Sequence, residues 1–262
     1  MHLKRAELAA LALALALASS VSPANPFIGK WKIDEAKSHL TGTTDSVAAS
    51  GPNAWSFQDD AFSSKITADG TDQPTSLGTT AMKVVNATTW EFTNKSNGKT
   101  ISTETWVLSA DGQSMQRTFR VPNANGEMSS GSETVKRTAG TSGFEGTWES
   151  TELKMTFTEV DVEPNGDDGV TLRLPEDGTH YSLKFDGKDY PEEGPRLPAG
   201  MTVSAKMTGP RSITAVTKLN GTAFDSEDWE ISADGQTFTY TQLDVGSTDP
   251  AVIVLHRLAD HR

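Results

Sequence analysis

Cysteine is missing from this chain of 262 residues. Its absence excludes disulfide bonds, thiolate catalysis, iron–sulfur clusters and zinc sites built on cysteine. It also excludes the lipid-accepting cysteine that a bacterial lipoprotein carries directly after its leader. Because small secreted animal domains usually depend on disulfides, an exported protein without them is more typical of bacteria.

Basic residues are few in relation to acidic ones. Lysine and arginine total 23 against 35 aspartates and glutamates, which gives a formal net charge of −12. A surface with this charge repels phosphate groups, so the composition argues against nucleic acid or an anionic membrane as a partner. An acidic surface also keeps a globular protein soluble without serving any further purpose.

Long apolar runs are confined to the N-terminus. Residues 8–18 are all leucine or alanine and follow the basic pair Lys4 and Arg5, and small residues continue to Ala24. The run is shorter than the ~20 residues that a membrane-spanning helix needs. We predict a Sec-type signal peptide over residues 1–24, cleaved after Ala24, with positions 18 and 20 as alternative cleavage sites. The mature protein is then secreted or periplasmic, is not a lipoprotein and has no membrane span.

Helical periodicity is scarce as well. The best helical stretch, residues 33–38, has room for one turn. The remainder alternates in strand-sized pieces rich in threonine, valine and aromatics, which are interrupted by glycine. The predicted strands cover 29–33, 54–58, 62–67, 80–85, 89–93, 100–108, 114–120 and 131–137 in the first half, and 146–153, 155–162, 170–174, 180–185, 201–207, 213–219, 224–231, 237–243 and 251–258 in the second.

A repeated set of motifs divides the chain into two copies. Phe-x-Gly-x-Trp occurs at 27–31 and 144–148, and Asp-Gly-x-Asp-x-Pro at 69–74 and 186–191, both 117 residues apart. Lys-x-Asn-Gly occurs at 95–98 and 218–221, and Trp-x-x-Ser-Ala-Asp-Gly-Gln at 106–113 and 229–236, both 123 apart. We place the extra residues of the second copy in the loop 194–200. Four motifs in the same order indicate a duplication.

The duplication predicts the domain organisation. After the signal peptide we expect one β-barrel over residues 25–138, a flexible linker over 139–143 and a second β-barrel over 144–262. The linker is small, polar and rich in glycine. Each unit is large enough to bury a core of its own, so each copy is expected to supply all the strands of its own barrel.

Asn-Gly and Asp-Gly pairs separate several of the predicted strands. These pairs are Asn97-Gly98, Asp111-Gly112, Asn220-Gly221 and Asp234-Gly235. Both dipeptides tolerate the positive φ angles of a two-residue hairpin turn. Successive hairpins form an antiparallel meander, which removes its edges by closing into a barrel. The predicted fold class is all-β, with two tandem antiparallel up-and-down barrels of about eight strands each.

The Gly-x-Trp start, the meander and an arginine on the last strand resemble the lipocalin-like (calycin) β-barrels. The full duplicated set of motifs resembles a group of small secreted bacterial lipocalin-like proteins. The resemblance implies that the first-strand tryptophan closes one end of each barrel beneath a basic residue of the last strand. It thereby pairs Trp31 with Arg137 and Trp148 with Arg257, in a structural role. A guanidinium over an indole contributes about 0.5–2 kcal/mol.

A barrel of this size encloses either packed side chains or one small ligand. Strand alternation predicts a set of inward-facing residues that line it: Trp90, Phe92, Trp106, Arg117, Phe119, Tyr181, Phe185, Trp229, Phe238 and Tyr240. The alternative is that these residues form plain core. The first copy has Gln73 where the second has Tyr190, which indicates either a degenerate copy or a different cavity.

Arg117 is the charged member of this predicted lining. It alternates with Met115 and Phe119, which favours an inward orientation. A buried arginine needs a partner, which Glu104 or an anionic ligand would supply. If the strand faces the other way, Arg117 is solvated.

Motifs that carry chemistry are few. The acidic clusters at 163–168 and 192–193 lack the spacing of a calcium loop and are predicted as solvated turns. The five histidines do not pair at metal-ligand spacing. No nucleophile elbow, phosphate-binding glycine-rich loop or His-Glu-x-x-His motif occurs in the sequence. We therefore predict no metal site, no cofactor and no enzymatic activity.

Together these observations predict a secreted or periplasmic lipocalin-like protein that binds a small, mostly apolar ligand inside one or both barrels. The alternative is a non-catalytic structural or protein-interaction module with filled barrels and no ligand. The volume of the interior separates these two hypotheses. The expected partner is thus a small molecule and not a nucleic acid, and the sequence predicts no particular oligomeric state.

Overall fold

The computed structural model describes residues 25–59 and 63–259. The predicted signal peptide lies outside the described residues, as does Phe62 at the start of a predicted strand. Within the described ranges the chain forms β-strands and turns and contains no α-helix. None of this part of the chain forms a helix that is long and apolar enough to cross a membrane. The all-β prediction is confirmed.

Each copy of the repeat contributes ten strands, where about eight were predicted. The first copy supplies β1 (Gly29–Ile33), β2 (Thr44–Gly51), β3 (Ala54–Gln58), β4 (Ser63–Thr67), β5 (Gln73–Thr75), β6 (Gly78–Asn86), β7 (Thr89–Ser96), β8 (Lys99–Leu108), β9 (Ser114–Pro122) and β10 (Met128–Ser142). The second supplies β11 (Glu145–Lys154), β12 (Glu159–Pro164), β13 (Gly169–Arg173), β14 (His180–Lys184), β15 (Tyr190–Glu193), β16 (Met201–Gly209), β17 (Ser212–Leu219), β18 (Thr222–Ile231), β19 (Thr237–Asp244) and β20 (Ala251–Arg257).

The two copies exchange their first strands. One sheet, which we call the closed barrel, contains β1 between β20 and β12 and runs through β13 to β20. The other, which we call the inserted sheet, contains β11 between β10 and β2 and extends to β4 on one side and β5 on the other. The prediction that each copy supplies all the strands of its own barrel is therefore wrong at the first strand. The inserted sheet is continuous in sequence, over residues 44–154, and it interrupts the closed barrel.

The crossovers between the two sheets are short. After β1 the chain stays on the closed barrel, where His39 bridges Val252 through backbone hydrogen bonds of 2.7 and 2.8 Å. It joins the inserted sheet at Gly42, whose amide donates to the carbonyl of Ser150. The return path follows β11, and Thr158 then accepts a hydrogen bond from the amide of Ile33. The helical stretch predicted over 33–38 is a single turn closed on Asp34.

The exchange changes which arginine covers which tryptophan. The Arg257 guanidinium lies 4.1 Å from the ring centre of Trp31, and that of Arg137 lies 4.1 Å from the ring centre of Trp148. The predicted pairs, Trp31 with Arg137 and Trp148 with Arg257, are wrong, although these four residues are the ones that form such pairs. Both indoles are fully buried. Each donates its N–H to the carbonyl of the phenylalanine four residues earlier, at 2.9 Å.

The glycine of the Gly-x-Trp motif makes room for the arginine. Gly29 and Gly146 have φ angles of +148° and +149°, which side chains rarely adopt. A Cβ atom at either position would lie 2.4 Å or 2.6 Å from a guanidinium nitrogen of Arg257 or Arg137. The motif is therefore a local requirement of the Trp–Arg pair and does not itself decide which arginine is used.

The segment predicted as a flexible linker is part of a hairpin. Residues 139–142 belong to β10, and Ser142 pairs with Glu145 of β11. Arg137 reinforces this hairpin by donating to the carbonyls of Gly143 and Glu145. The linker prediction is wrong because this turn joins two adjacent strands of one sheet. The segment therefore does not connect separate domains.

The predicted turn types are confirmed at Asn-Gly and differ at Asp-Gly. Asn97 and Asn220 have φ angles of +50° and +51° and are followed by glycines with positive φ, as a type I′ hairpin requires. At the other two sites the loop is longer, and the aspartate accepts hydrogen bonds within it. Asp111 accepts from the Ser109 hydroxyl at 2.7 Å and from the backbone amide two residues on at 3.0 Å. The second copy repeats this arrangement around Asp234.

Gln73 spans the gap between the two end strands of the inserted sheet. In the closed barrel the corresponding strands, β14 and β15, pair through their backbones. In the inserted sheet the Gln73 side chain accepts from the amide of Thr67 at 2.8 Å and donates to its carbonyl at 2.7 Å. The side-chain amide of Gln73 thus makes the pair of hydrogen bonds that two backbone groups make in the other copy. This role accounts for a glutamine at the position of Tyr190.

Candidate ligand-binding site

The inward face of β18 changes from apolar to acidic along its length. Ile231, Trp229, Glu227 and Asp225 alternate with exposed residues, and all four are buried. Ile231 and Trp229 lie towards the end closed by Trp31, because Phe27 packs against Trp229 there with ring centres 6.1 Å apart. Glu227 and Asp225 therefore lie nearer the opposite end.

The closed barrel contains a cavity of about 410 Å³ above these residues. Its apolar walls include Ile33, Val160, Leu172, Leu174, Phe238 and Leu255. Its polar and ionisable groups are Thr179, Tyr181, Glu192, Arg196, Thr217, Asp225, Glu227, Tyr240 and Gln242. Strand β1 lines the cavity through Ile33, so the exchanged strand contributes directly to the site.

Glu227 is held firmly in the cavity wall. Its Oε1 accepts a hydrogen bond from the Thr217 hydroxyl at 2.8 Å, and its Oε2 accepts one from the indole N–H of Trp229 at 2.8 Å. These donors fix the orientation of the carboxylate but neither brings a positive charge. The negative charge of Glu227 therefore has no counter-ion in direct contact among the described residues.

Asp225 is only partly satisfied. Its Oδ2 accepts from the Gln242 side chain at 3.1 Å. Its Oδ1 is buried and has no hydrogen-bond partner among the residues that the structure describes. The residue as a whole is 5% exposed. An unpaired buried carboxylate oxygen is costly, so this atom is an acceptor available to a bound group.

The three carboxyl groups of the cavity have perturbed acidities. Burial raises the pKa of Asp225 and of Glu192 to about 7 each, and repulsion from Glu227 adds to both rises. Burial also raises the pKa of Glu227, against the hydrogen bonds that it accepts. The phenols of Tyr181 and Tyr240 have pKa values well above the usual range, because burial and then the charge of Glu227 disfavour the phenolate.

Arg196 is the cation that lines this cavity, and it lies at the rim. Its Nε is 2.8 Å from Asp177 Oδ2, and its side chain is 31% exposed whereas that of Asp177 is fully buried. Its charge lowers the pKa of Glu192, but only against the larger effect of burial. Arg196 thus forms its ion pair with a fourth carboxylate, Asp177, and acts on Glu192 only from a distance.

The inserted sheet has the same Glu–Trp unit with different neighbours. Glu104 accepts from the Trp106 indole at 3.1 Å and from the Asn94 side chain at 2.9 Å. A smaller cavity of about 230 Å³ lies beside these residues and is lined also by Phe57 and Phe92. Burial raises the pKa of Glu104. The unit at 104–106 therefore corresponds to 227–229.

Arg117 points inward and forms a triad of charges. Its guanidinium lies 4.2 Å from the ring centre of Trp106, donates to both carboxylate oxygens of Asp45 and lies 3.2 Å from Glu133. The direct partners of the guanidinium are Asp45 and Glu133 and not Glu104, which was predicted, while the alternative of an anionic ligand stays a prediction. The positive charge of Arg117 is therefore balanced by side chains of the inserted sheet.

The closed barrel replaces this triad with less polar residues. The strand registers match Arg117 with Tyr240, Glu133 with Ile253 and Asp45 with Val160. All three replacements line the cavity of about 410 Å³. The larger cavity therefore lies where the closed barrel has no equivalent of Arg117 and its two carboxylate partners.

The structure separates the predicted lining residues into three groups. Tyr181, Phe238 and Tyr240 line the larger cavity, and Phe92 and Trp106 line the smaller one. Trp90, Trp229 and Phe185 belong to or pack on the hydrophobic cores. Phe119 covers Gly131 on the neighbouring strand and belongs to neither lining. Five of the predicted aromatic residues therefore border a cavity, four of these five also belong to the hydrophobic cores, and their role in ligand binding stays a prediction.

The acidic residues of the larger cavity were not predicted as part of a site. Glu192 was assigned to a solvated turn but lies in β15 and faces the cavity. Asp225 and Glu227 share the alternation of Trp229, so extending that pattern toward the start of β18 would have placed them inside. The repetition of Glu-x-Trp in both copies was a second signal.

We found no match to this chain among protein-family models, curated proteins or solved structures. Among the described residues, no group of three or more histidine, aspartate and glutamate side chains is arranged to hold a metal ion.

Proposed function

We propose that this is a secreted or periplasmic lipocalin-like binding protein that holds one small, mostly apolar ligand in the closed barrel. The supporting observation is the cavity of about 410 Å³. Ligand sites typically have about 300–1,000 Å³, apolar walls and a few convergent polar groups. The closed barrel has that combination.

The inserted sheet has a different role in this proposal. Its interior places the Arg117 triad where the closed barrel has cavity lining. The second function predicted from the sequence, a structural module, suits this half of the protein, whose cavities of about 260 and 230 Å³ are smaller and are bordered by the triad and by Glu104. One copy then binds, while the other stabilises the exchanged strands.

Binding is proposed in preference to catalysis. Among the described residues that line the larger cavity there is no serine, cysteine or histidine. The hydroxyl of Thr217 donates to Glu227, so no activated nucleophile results from that contact.

A pair of substitutions on β13 tests the proposal. Leu172 faces the cavity and its neighbour Arg173 faces outward. Leu172→Trp fills the cavity, whereas Arg173→Trp adds the same side chain outside. The measurement is thermal shift and native mass spectrometry with a panel of neutral, cationic and anionic compounds that have aryl or alkyl bodies.

The expected result is a shift and a mass adduct with at least one compound for the wild type and for Arg173→Trp, and neither for Leu172→Trp. If the wild type gives no shift with any compound while Leu172→Trp melts at a higher temperature, the cavity is unused space. That outcome would favour the structural module for both halves.

A further inference from the structure

The polar side of the closed-barrel cavity is acidic, and its carboxyl groups lack a positive partner. Glu227, Asp225 and Glu192 all line the same space. No ion pair joins any of the three to a lysine, arginine or histidine within the described ranges. A buried carboxyl avoids an unpaired charge either by holding a proton or by pairing with a cation, so a cation that reaches this cavity can take the place of the proton.

We propose that the ligand of the closed barrel is an organic amine, whose ammonium group binds between Asp225 and Glu227 and whose apolar body occupies the Leu172 side of the cavity. This assignment rests on the proposed function, because it specifies the chemistry of the ligand in that cavity.

The first argument is the free oxygen of Asp225. Its Oδ1 is buried without a partner in the part of the chain that the structure describes, and the residue borders the cavity. An ammonium group has three N–H donors and no acceptor, so it can satisfy this atom while neutralising charge. A neutral hydroxyl can donate only once and brings no charge.

The second argument comes from the other copy of the repeat. In the inserted sheet the Arg117 guanidinium binds Asp45 and Glu133 and lies over Trp106, the partner of Glu104. In the closed barrel the register places Tyr240 at the position of Arg117. The guanidinium over the Glu–Trp unit of one interior is therefore replaced by a neutral phenol in the other, where the acid of that unit is kept although both carboxylate partners of the arginine are replaced as well.

The third argument is the aromatic surroundings of the acids. The rings of Tyr181 and Tyr240 have centres 6.4 Å and 6.2 Å from that of Trp229, and both border the cavity. Aromatic faces attract cations, and this attraction strengthens when water is excluded. A metal ion is less suited to this setting, because it requires several oxygen ligands in a regular shell.

Two matched sets of probes test the charge of the ligand. The first set is 2-phenylethylamine, 2-phenylethanol and 3-phenylpropionate, and the second is octylamine, 1-octanol and octanoate. Within a set the apolar body is nearly constant while the head is cationic, neutral or anionic. Affinities are measured by titration calorimetry on the full mature chain at neutral pH, with calcium chloride as a separate probe.

The expected result is that an amine binds about tenfold or more tightly than its alcohol, and that the carboxylate binds most weakly. Asp225→Asn should lower the affinity for the amine by about tenfold and leave that for the alcohol unchanged. Asp228→Asn removes an exposed carboxylate from the same strand and should change neither.

Equal binding of amine and alcohol would overturn the charge assignment while leaving the proposed function in place. Binding of neither set, together with no shift in the wider panel, would overturn both. A calcium ion that binds alone and displaces the amine would replace it with a metal as the ligand.

Discussion

Trp31 and Arg257, near opposite ends of the chain, are direct partners on adjacent strands. They pair across β1 and β20, and the guanidinium also donates to the carbonyls of Pro26 and Ile28 at 2.7 Å each. The same chemistry joins Trp148 to Arg137 on the inserted sheet. The first strand of each repeat therefore stabilises the sheet formed mostly by the other repeat.

Trp31→Ala should destabilise the closed barrel before the inserted sheet. Truncating a buried tryptophan costs about 3–5 kcal/mol, and here the loss falls on strands β12–β20. Hydrogen exchange followed by mass spectrometry should show reduced protection over residues 159–257, and Trp148→Ala should show it over 44–154. Lys32→Ala, at an exposed neighbour on β1, is the control. Loss of protection over residues 44–154 in Trp31→Ala, or over 159–257 in Trp148→Ala, would refute the exchange of first strands.

Fragments should fold according to the sheets and not according to the repeats. A fragment of residues 44–154 contains every strand of the inserted sheet and should fold alone. A fragment of residues 155–262 lacks β1 and should remain unclosed until a peptide of residues 25–40 is added. Circular dichroism and a fluorescence titration measure the recovery. A Trp31→Ala peptide that restores folding equally well would contradict the role given to this side chain.

The stability of the protein should fall as the pH rises from about 4 to about 7. Asp225 and Glu192 have folded-state pKa values of about 7, against 3.8 and 4.5 as usual values. Over that interval the unfolded chain loses protons that the folded protein retains, so unfolding becomes more favourable. Carboxyls with lowered pKa values, such as Asp111, act in the opposite direction but only below about pH 4.

Asp225→Asn should therefore raise the free energy of unfolding at pH 8 and leave it nearly unchanged at pH 4, as measured by urea titration. Asp228→Asn is the matched control on the outer face of β18 and should leave the pH dependence intact. An equal gain at both pH values would show that Asp225 is not protonated in the folded protein at low pH.

Gln73→Ala should open the seam between β4 and β5. The side chain makes two hydrogen bonds to the backbone of Thr67, and their loss leaves a donor and an acceptor unpaired, at a cost of about 1–3 kcal/mol. Amide exchange over Ser63–Thr67 is the measurement, with Gln116→Ala, an exposed residue of β9, as control. Unchanged exchange in this strand would show that another contact closes the seam.

The sequence was sufficient to identify the repeat, most of the strands and the four residues that form the Trp–Arg pairs. It could not assign the partners, because Trp31 and Trp148 sit in the same Phe-x-Gly-x-Trp motif and Arg137 and Arg257 end equivalent strands. Pairing each tryptophan with the arginine of its own repeat or with that of the other repeat would satisfy the same hydrogen bonds. Only the path of the crossover segments distinguishes the two, and these carry no motif.

The short strands were missed for a related reason. In β2 only Val47 is buried, so alternation is nearly invisible there, and β5 and β15 are too short to show it. The acids of the cavity were missed because buried carboxylates are rare, and a prediction from residue type places them in solvent. Glu192 is the clearest example, since its neighbour Glu193 is exposed.

The position of β1 also has a consequence for folding of a chain that emerges from its N-terminus, as it does during export. This strand emerges first, but β12 and β20, which flank it, emerge only after the whole of residues 44–154. The nascent chain therefore carries Trp31 without its pocket while the intervening sheet is completed and folded. During that interval the first strand of one molecule matches the barrel of a neighbouring molecule as well as it matches its own, which opens a route to intertwined dimers.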